Sequence, residues 1–330
     1  MNPQARVVAL GASAGGIAAL SAVFSRLSPE TKATFFVVQH ISAHSPNYLP
    51  KIFNQHSALP VEAATHDTAY LPGHIYLAPP DHHLTVTGTR MSLNRGPREN
   101  RSRPSIDVLF RSVAAAHGPK TIGVVMSGLL DDGTAGLAAI KEAAGVALIQ
   151  DPADALFPQM PDHARQHVTV DQMAPHHEIS SLIEQYLQQP VPDEGRPTSE
   201  QVLESQMEHR AKSGIPLVNA IAEAPPGLSC PECGGPLWQL NDVHVPRFRC
   251  HTGHAYGSLS LSAAMNDATE QALYAGLRTL EEKSRLLERL AEKHDQAHRL
   301  VNSFSHRARE CREHAAAIEA ILKQIQPKEV

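Results

Sequence analysis

Apolar runs of strand length alternate with helical segments between Arg6 and about Gln188. The runs rich in β-branched and other apolar residues are VVAL (7–10), FFVVQ (35–39), HIYLAP (74–79), IGVVMSG (122–128) and VALIQD (146–151). Alanine-rich stretches with helical spacing, IAALSAVFSRL and AGLAAIKEAAG, follow the first run and precede the last. Near-continuous apolar strands separated by helices are typical of a parallel sheet covered on both faces. The pattern therefore predicts a doubly wound, mainly parallel α/β domain over residues 1–189.

One segment interrupts this alternation of strands and helices. The sequence HLTVTGTRMSL (83–93) alternates apolar and polar residues about a Thr-Gly pair. Such alternation is typical of half-buried strands, and a short turn that contains glycine favours a β-hairpin. We therefore expect a hairpin added to the main sheet.

The composition changes after Gln188, where QQPVPDEGRPTSEQ is rich in proline and charge. This composition predicts a linker over 190–227, in which residues 199–212 are compatible with a short polar helix. A compact module rich in cysteine and histidine follows over 228–257. The chain thus divides into a large α/β domain, a linker, a small module and a last segment over 258–330.

The last segment is predicted to be helical, because residues 258–323 contain no proline and are rich in Ala, Leu, Glu and Arg. Five leucines recur at helical spacing: Leu273, Leu277, Leu280, Leu287 and Leu290. This pattern predicts a helical hairpin that packs on its own domain. The alternative is a coiled segment that binds a helical partner or self-associates through 258–323.

A glycine-rich turn follows the first predicted strand and precedes the first predicted helix. Its Gly11, Ser13 and Gly15 form G-x-S-x-G, the pattern of a turn that exposes a nucleophilic serine at a strand end. The same context suits a phosphate-binding loop. A dinucleotide site usually has an acidic residue about 20 residues further on, at the end of the second strand. Here the second strand ends at His40, which disfavours a nucleotide-binding regulator.

Ser13 and His40 follow neighbouring predicted strands, and Asp131 and Asp132 follow a third one. Sites in open parallel sheets assemble outside the carboxyl ends of the strands. A histidine there can take the serine proton as general base, and a carboxylate can orient the histidine. The order Ser, His, Asp differs from the Ser, Asp, His order of α/β-hydrolases. The residues alone leave the choice between the two aspartates open.

Six blocks resemble, in order, the catalytic domain of chemotaxis protein-glutamate methylesterases of the CheB type. They are GASAGG, VVQHIS, LPGHIYLAPPDHHL, RPSIDVLFRSVA, VVMSGLLDDGTAGLAAIKEAAG and QDPADALFPQMP. The resemblance implies hydrolysis of glutamyl methyl esters on chemoreceptor cytoplasmic helices, with release of methanol and often glutamine deamidation. It implies no cofactor for catalysis. The family nucleophile falls on Ser13, the base on His40 and the orienting carboxylate on Asp132, the aspartate directly before glycine.

The sequence departs from the family pattern at three points. Family members commonly have threonine and methionine where this chain has Ala14 and Leu129. The usual enzyme also has an N-terminal receiver domain, whereas the first strand here begins at residue 7, so we expect no phospho-control in cis.

The donors for the developing oxyanion are expected among backbone N–H groups after Ser13 and in the loop 128–130.

The module at 228–257 has the spacing of a structural zinc site. Cys230-x2-Cys233 and Cys250-x3-His254 each present two ligands from one turn. His251 is the competing fourth ligand, and a cluster of buried thiols is the alternative to metal. CPECGGPLW with RFRCHTGHAY also resembles a zinc-ribbon-like tail of some stand-alone family members. Four protein ligands leave no open position for water, so the expected zinc is structural.

The composition limits the classes of binding partner and the cellular compartment that we expect. The net charge is −5, and Arg247 and Arg249 are too sparse a basic patch to favour nucleic acid. No apolar run approaches the roughly 18 residues of a membrane span, and the N-terminus lacks a signal peptide, so we expect a cytoplasmic protein without membrane insertion. The expected partner is a methylated chemoreceptor or a related signalling protein. The alternative function is a catalytically silent module that recruits signalling partners through its C-terminal region.

Overall fold

A computed structural model of the chain describes residues 6–192, 227–240, 245–293 and 298–325. The chain forms two compact units, one within Met1–Leu261 and the other within Ser262–Val330. The short polar helix predicted at 199–212 lies outside the described residues, as does most of the predicted linker.

The strands and helices have the following bounds. The strands are β1 Val7–Ala12, β2 Thr34–Gln39, β3 Val61–Ala63, β4 Thr68–Ala69, β5 Ile75–Leu77, β6 His83–Thr87, β7 Arg90–Asn94, β8 Thr121–Val125, β9 Val146–Gln150, β10 Gln172–Ala174, β11 Leu237–Gln239, β12 Arg247–Cys250 and β13 Ala255–Gly257. The helices are α1 Gly16–Phe24, α2 Leu49–Asn54, α3 Ile106–His117, α4 Thr134–Glu142, α5 Gln159–His167, α6 Ile179–Gln188, α7 Ser258–Lys293 and α8 His298–Ile325.

The central sheet has seven strands in the order β10-β9-β8-β1-β2-β5-β3, and all six pairs are parallel. From β1 the chain adds β2, β3 and β5 on one side, and then crosses to β8 on the other side of β1. The direction of winding therefore reverses beside β1, and ligand sites of open parallel sheets form at such a switch point. The predicted doubly wound, mainly parallel sheet is confirmed.

The sheet is buried on both faces, as its continuous apolar strands predict. Along β1, Val7 and Ala9 belong to one core cluster, whereas Val8 and Leu10 belong to the other. Helices α3 and α4 contribute Leu109 and other side chains to the first cluster, and α1 and α6 contribute to the second. Because side chains alternate along a strand, one apolar run supplies both cores.

The predicted hairpin is present but does not join the central sheet. Strands β6 and β7 pair antiparallel about Gly88, and with β4 they form a separate three-stranded sheet. Three side chains of this hairpin, those of Leu84, Val86 and Met91, enter the core cluster that α3 also lines. Packing on a helix therefore satisfies the apolar face of the hairpin, and no edge of the main sheet is needed.

The cysteine–histidine module, residues 228–257, contains a second small sheet in the order β11-β12-β13, which is antiparallel. It lies in the same compact unit as the central sheet. A bridge between Glu99 and Ala255 joins β13 to the loop before α3, and Asn100 N donates a hydrogen bond of 2.8 Å to Ala255 O.

The predicted C-terminal helices are present as α7 and α8. In the second unit, Leu287, Ala308 and Cys311 are buried together, and Leu280 and Phe304 pack against them. Cys311 thus packs as a small apolar residue on its helix. Within the described ranges, no helix is both long and apolar enough to cross a membrane.

Candidate active site

Ser13 and His40 lie at the carboxyl ends of two paired strands. Ala12 of β1 is in register with Gln39 of β2, so Ser13 and His40 are the next residues of the two strands. His40 N donates to Ala12 O at 3.0 Å, and Gln39 Nε2 donates to Ser13 O at 2.8 Å. Both residues therefore lie beside the switch point of the sheet, as their place after predicted strands indicated.

The turn that carries Ser13 is fixed by backbone hydrogen bonds. Ser13 N donates to Ser127 O at 2.9 Å, and Ser13 O accepts from Gly16 N at 2.9 Å. Gly15 has φ 73°, a left-handed conformation that favours glycine. The Ser13 side chain remains partly exposed, and within the described residues its hydroxyl makes no hydrogen bond. The turn thus presents the hydroxyl at the sheet edge without a competing partner.

His40 and Asp132 form a hydrogen bond that is largely shielded from solvent. The distance between His40 Nε2 and Asp132 Oδ2 is 2.8 Å. The exposed fractions of the two side chains are 15% and 3%. Of the two candidate aspartates, it is Asp132 that contacts His40.

Asp132 accepts four further hydrogen bonds. Its carboxylate receives the backbone N–H groups of Ile106 (2.8 Å) and Asp107 (3.1 Å) in the first turn of α3, the Ser105 hydroxyl (3.0 Å) and the Asn100 amide (2.9 Å). A helix N-terminus favours a negative charge. Burial alone would raise the pKa of Asp132, but the hydrogen bonds from His40, Asn100 and Ile106 lower it to about 2. The carboxylate is therefore ionised at neutral pH.

The ionised carboxylate determines the proton position on His40. An ionised carboxylate only accepts hydrogen bonds, so the neutral ring carries its proton on Nε2 and donates it to Asp132. The lone pair of the neutral ring is then on Nδ1. This nitrogen is the one available to accept a proton from a neighbouring hydroxyl.

Asp131 points to a different partner. Its carboxylate accepts from Leu259 N at 2.8 Å and Ser260 N at 3.1 Å, in the first turn of α7. These bonds satisfy N–H groups that a helix leaves unpaired at its start. Burial raises the pKa of Asp131, although both backbone bonds oppose the shift. Asp131 is thus a capping residue for α7.

The loop 127–130 lies directly against Ser13. A Cβ atom on Gly128 would be 2.9 Å from Ser13 Cβ, so only glycine fits there without movement. Gly128 N donates to Phe157 O (2.9 Å) and Leu130 N to Gln159 Oε1 (3.0 Å). Within the described chain, Leu129 N and the N–H groups of Ala14 and Gly15 have no acceptor. These three N–H groups are therefore unpaired backbone donors of the Ser13 turn and of the neighbouring loop.

The structure brings Cys230, Cys233, Cys250 and His254 together, with their ligand atoms within 4.8 Å of one another. The Cys233–Cys250 sulfur separation is 3.6 Å, and His254 Nδ1 lies 3.7 Å from Cys230 Sγ and 3.6 Å from Cys250 Sγ. A tetrahedron with Zn–S bonds of about 2.3 Å has sulfur atoms about 3.8 Å apart. None of these cysteines is in a disulfide. The donor set therefore fits one tetrahedral zinc ion.

The other histidine of the module is outside this cluster. His251 packs against Gly235, and its Nδ1 is buried without a hydrogen-bond partner among the residues that the structure describes. His254 Nε2 lies 3.4 Å from Glu232 Oε2, which leaves Nδ1 directed to the sulfur atoms. A carboxylate on the far nitrogen is the usual support of a metal-binding histidine.

Arg247 and Arg249 do not form a surface patch, because they are 6% and 7% exposed. Arg247 Nη2 lies 3.6 Å from Glu99 Oε1, and Arg111 makes a bidentate pair with Glu99 at 2.7 and 2.8 Å. Burial alone would raise the pKa of Glu99, but the charges of Arg111 and Arg247 lower it. The two module arginines are thus part of a buried ion cluster.

Sequence reasoning missed several residues around Asp132, above all Asn100 and Ser105. Both lie in the loop RENRSRPS before α3, which has no strand or helix periodicity. The only available signal was the helix-starting pattern Ser-Ile-Asp, which predicts a helix N-terminus and therefore a binding position for an anion.

The fold and this edge define an open, doubly wound α/β domain with serine, histidine and aspartate side chains at its switch point. The chain belongs to the CheB methylesterase family, whose profile matches residues 8–183. A protein-glutamate methylesterase/protein-glutamine glutaminase of Xanthomonas euvesicatoria is 37% identical over 174 residues, which are 52% of this chain and 48% of the relative. A putative enzyme of the same name from Leptospira interrogans is 36% identical over 183 residues, 55% of this chain and 94% of the relative.

A solved structure has the same fold. The Thermotoga maritima CheB methylesterase catalytic domain superposes with a TM-score of 0.54 at 26% identity, over 55% of this chain and 98% of that domain. The chain spans about half the length of the Xanthomonas relative. The cysteine–histidine module and the C-terminal helices lie beyond the residues that the family profile matches.

Proposed function

We propose that this protein hydrolyses glutamyl methyl esters on chemoreceptor cytoplasmic helices and releases methanol, with Ser13 as nucleophile, His40 as general base and Asp132 as the orienting carboxylate. The observation that carries the proposal is the 2.8 Å hydrogen bond between His40 and Asp132, one strand end away from Ser13. Membership of the methylesterase family supports the reaction class. The names of the relatives support glutamine deamidation as a second reaction of the same site.

In the first half of the reaction, the Ser13 hydroxyl attacks the ester carbonyl and its proton passes to His40 Nδ1. The tetrahedral adduct collapses, the carbon–oxygen bond to methoxide breaks, and His40 gives the proton to the leaving oxygen. Methanol departs and an acyl-serine remains. Asp132 stabilises the imidazolium that forms between these two proton transfers.

In the second half, a water molecule attacks the acyl-serine while His40 accepts its proton. The adduct collapses to a glutamate carboxylate, and Ser13 recovers its proton from His40. In both halves a negative charge develops on the former carbonyl oxygen. Leu129 N, with Ala14 N and Gly15 N, is the donor group beside Ser13 that is free to stabilise it, and such donors contribute about 10²–10³-fold to rate.

An activated serine is tested by labelling with a fluorophosphonate, which forms a serine–phosphorus bond as fluoride leaves. The proposal expects one adduct on Ser13, identified by peptide mass spectrometry, and slower labelling in His40→Ala. Ser21→Ala, in the helix directly after the turn, serves as the matched control and should label like the unaltered chain. An adduct elsewhere, or equal labelling of Ser13→Ala, would count against a nucleophilic Ser13.

We further propose that Cys230, Cys233, Cys250 and His254 hold one zinc ion with a structural role. Four protein ligands fill a tetrahedral site, so no position remains for a reacting water. Elemental analysis should find about one zinc per chain, and Cys233→Ser should lose most of it, while Cys311→Ser keeps it. A full zinc complement in Cys233→Ser would contradict this ligand set.

A further inference from the structure

We propose that Asn100 is a positioning residue for the His40–Asp132 pair, and that the chain segment 255–260 at the end of the cysteine–histidine module holds Asn100 in place. This proposal rests on the proposed function for its catalytic consequence. It assigns a role in the active site to a segment beyond the residues that the family profile matches.

The Asn100 side chain uses all of its hydrogen-bonding capacity. Its amide nitrogen donates to Asp132 Oδ1 at 2.9 Å and to Asp107 Oδ2 at 2.7 Å. Its amide oxygen accepts from Gly257 N at 2.8 Å and from the Ser260 hydroxyl at 2.9 Å. Since a backbone N–H can only donate, the Gly257 contact determines which end of the amide faces Asp132. Two contacts therefore lie on the catalytic side and two on the module side.

The backbone of Asn100 is held by the same segment. Asn100 N donates to Ala255 O at 2.8 Å, and φ of Asn100 is 49°, a left-handed value that asparagine tolerates. Asn100 is 5% exposed, so water does not readily reach its side chain to replace a lost hydrogen-bond partner. Its position thus depends on residues about 155 to 160 positions later in the chain, as the Gly257 and Ser260 bonds show by their separations of 157 and 160.

A second contact fixes the neighbouring aspartate from the same direction. Asp131 caps the first turn of α7 through Leu259 N and Ser260 N. A Cβ atom at Gly257 would collide with the Asp131 carboxylate, so the backbone at Gly257 packs too closely on Asp131 for a residue with a side chain. Asp132 is the next residue, and α3 binds its carboxylate from the other side. The pair Asp131–Asp132 is therefore held between two helix N-termini.

The ion cluster beside Asn100 fixes the module to the domain. Glu99 precedes Asn100 and pairs with Arg111 of α3 and Arg247 of β12, and all three side chains are buried. A buried charge that loses its partner is strongly destabilising, so this contact resists separation. Removing one hydrogen bond at Asn100 should therefore change local geometry and leave the module attached.

Ser260→Ala tests the proposal in the full-length protein, because it deletes one hydroxyl that supports Asn100 and touches neither Ser13 nor His40. Ser260→Thr keeps a hydroxyl and serves as the rescue variant. Ser258→Ala, an exposed serine of the same helix turn, is the matched control. Asn100→Ala removes the whole link. Each variant is checked for helix content by circular dichroism.

Two readouts separate positioning from mere stability. The first is kcat and KM for methanol release from a synthetic peptide that carries a glutamate γ-methyl ester. The second is the downfield proton resonance of His40 Nε2–H, assigned by its absence in His40→Gln. We expect Asn100→Ala to lower kcat about tenfold or more, as loss of an outer partner that orients a metal ligand does. Ser260→Ala removes only one of the contacts of Asn100 and should lower kcat less, about threefold. KM should stay within about twofold, and the resonance should shift or broaden in both variants.

Unchanged kcat and an unchanged resonance in a folded Ser260→Ala protein would overturn the proposal, as would a failure of Ser260→Thr to restore both. If Asn100→Ala does not fold, the Ser260 pair alone decides. The resonance needs no substrate, so it tests the positioning contact even if the chain releases no methanol. Loss of activity in Ser13→Ala together with an unaffected Ser260→Ala would leave the proposed function standing and remove this inference.

Discussion

Leu130 has φ 66° and directly precedes the two aspartates. The left-handed region costs an L-residue with a Cβ atom about 1–2 kcal/mol. Its N–H donates to Gln159, so the loop is held in this conformation by a bond that any residue can make. The strained position lies one residue from Leu129, whose N–H has no acceptor among the described residues and which we propose as an oxyanion donor. The loop thus keeps a backbone conformation at Leu130 that is unfavourable for a leucine.

Replacing Leu130 by glycine should raise the free energy of unfolding of the first unit by about 1 kcal/mol, because glycine adopts a positive φ without steric cost. The change is measured as a higher thermal or urea midpoint. Leu129→Gly, in the same loop at a position without positive φ, should give no gain. A lower midpoint for Leu130→Gly than for the unaltered protein would contradict a strained Leu130.

The two adjacent aspartates should differ sharply in their effect on the reaction. Asp132→Asn removes the charge that holds His40 in the productive tautomer, so kcat should fall by about 10³-fold or more. Asp131→Asn keeps an oxygen that caps α7, so the loss should stay below about tenfold. Rates of methanol release from a methylated peptide measure both. Similar losses in the two variants would contradict the separate roles described here.

The placement of Ser13 and His40 at one sheet edge was predictable, because apolar runs identify strands and the carboxyl ends of parallel strands share an edge. The residues alone did not distinguish Asp131 from Asp132, since both follow the same strand. Asn100 was not predictable at all. Its partners Gly257 and Ser260 are far away in the sequence, and no periodic pattern connects positions that meet only through docking.

At the level of elements, α3 connects the site to the core. Its N-terminus binds Asp132, and its apolar face contributes Leu109, Phe110 and Val113 to the core cluster. Its last residue, His117, contacts the Tyr70 hydroxyl at 3.0 Å. Because α3 is a single helix, we expect a substitution that displaces one end of it to displace the other end as well.

The pH dependence of stability tests this element. Burial, with the charge of Lys120, lowers the pKa of His117 from 6.5 to about 4. Below about pH 6.5 the unfolded chain binds a proton at His117 that the folded chain does not. The contribution of His117 to the free energy of unfolding is therefore complete only above pH 6.5. It falls by about 1 kcal/mol per pH unit as the pH drops toward 4.

His117→Gln should flatten the pH dependence, because the glutamine does not titrate and can still reach the Tyr70 hydroxyl. Urea midpoints at pH 7, 5.5 and 4.5 measure it. His56→Gln, at an exposed position, is the control and should keep the slope of the unaltered protein. An equal loss of stability with and without His117 would show that another group controls the acid response.

Sequence patterns predicted the apolar strands β1, β2, β5, β8 and β9 well and the short polar strands poorly. Strands such as β1 and β2 are continuous apolar runs, whereas β10 has two exposed residues out of three and no readable period. The hairpin of β6 and β7 is present as predicted, but the prediction that it joins the central sheet was wrong. Alternation reports that one face is buried, and it does not report whether a sheet or a helix covers that face.

For the whole molecule, the family resemblance covers little more than half of the chain, and the structure extends the first compact unit beyond it. Domain boundaries at 189, 227 and 257 were drawn from composition, and they remain predictions. The buried cluster of Glu99, Arg111 and Arg247 connects two of those predicted pieces. Composition cannot reveal such a contact, because charged residues in a sequence are ordinarily read as exposed.

If Ser13 is the nucleophile of a protein-glutamate methylesterase, methanol release from a methylated receptor must depend on its hydroxyl. The full-length protein and Ser13→Ala are each incubated with a chemoreceptor cytoplasmic fragment bearing glutamyl methyl esters, and methanol is measured over time. We expect steady release by the unaltered chain and a loss of about 10³-fold or more in a folded Ser13→Ala protein. Release by Ser13→Ala at the unaltered rate, or no release by the unaltered chain, would contradict it.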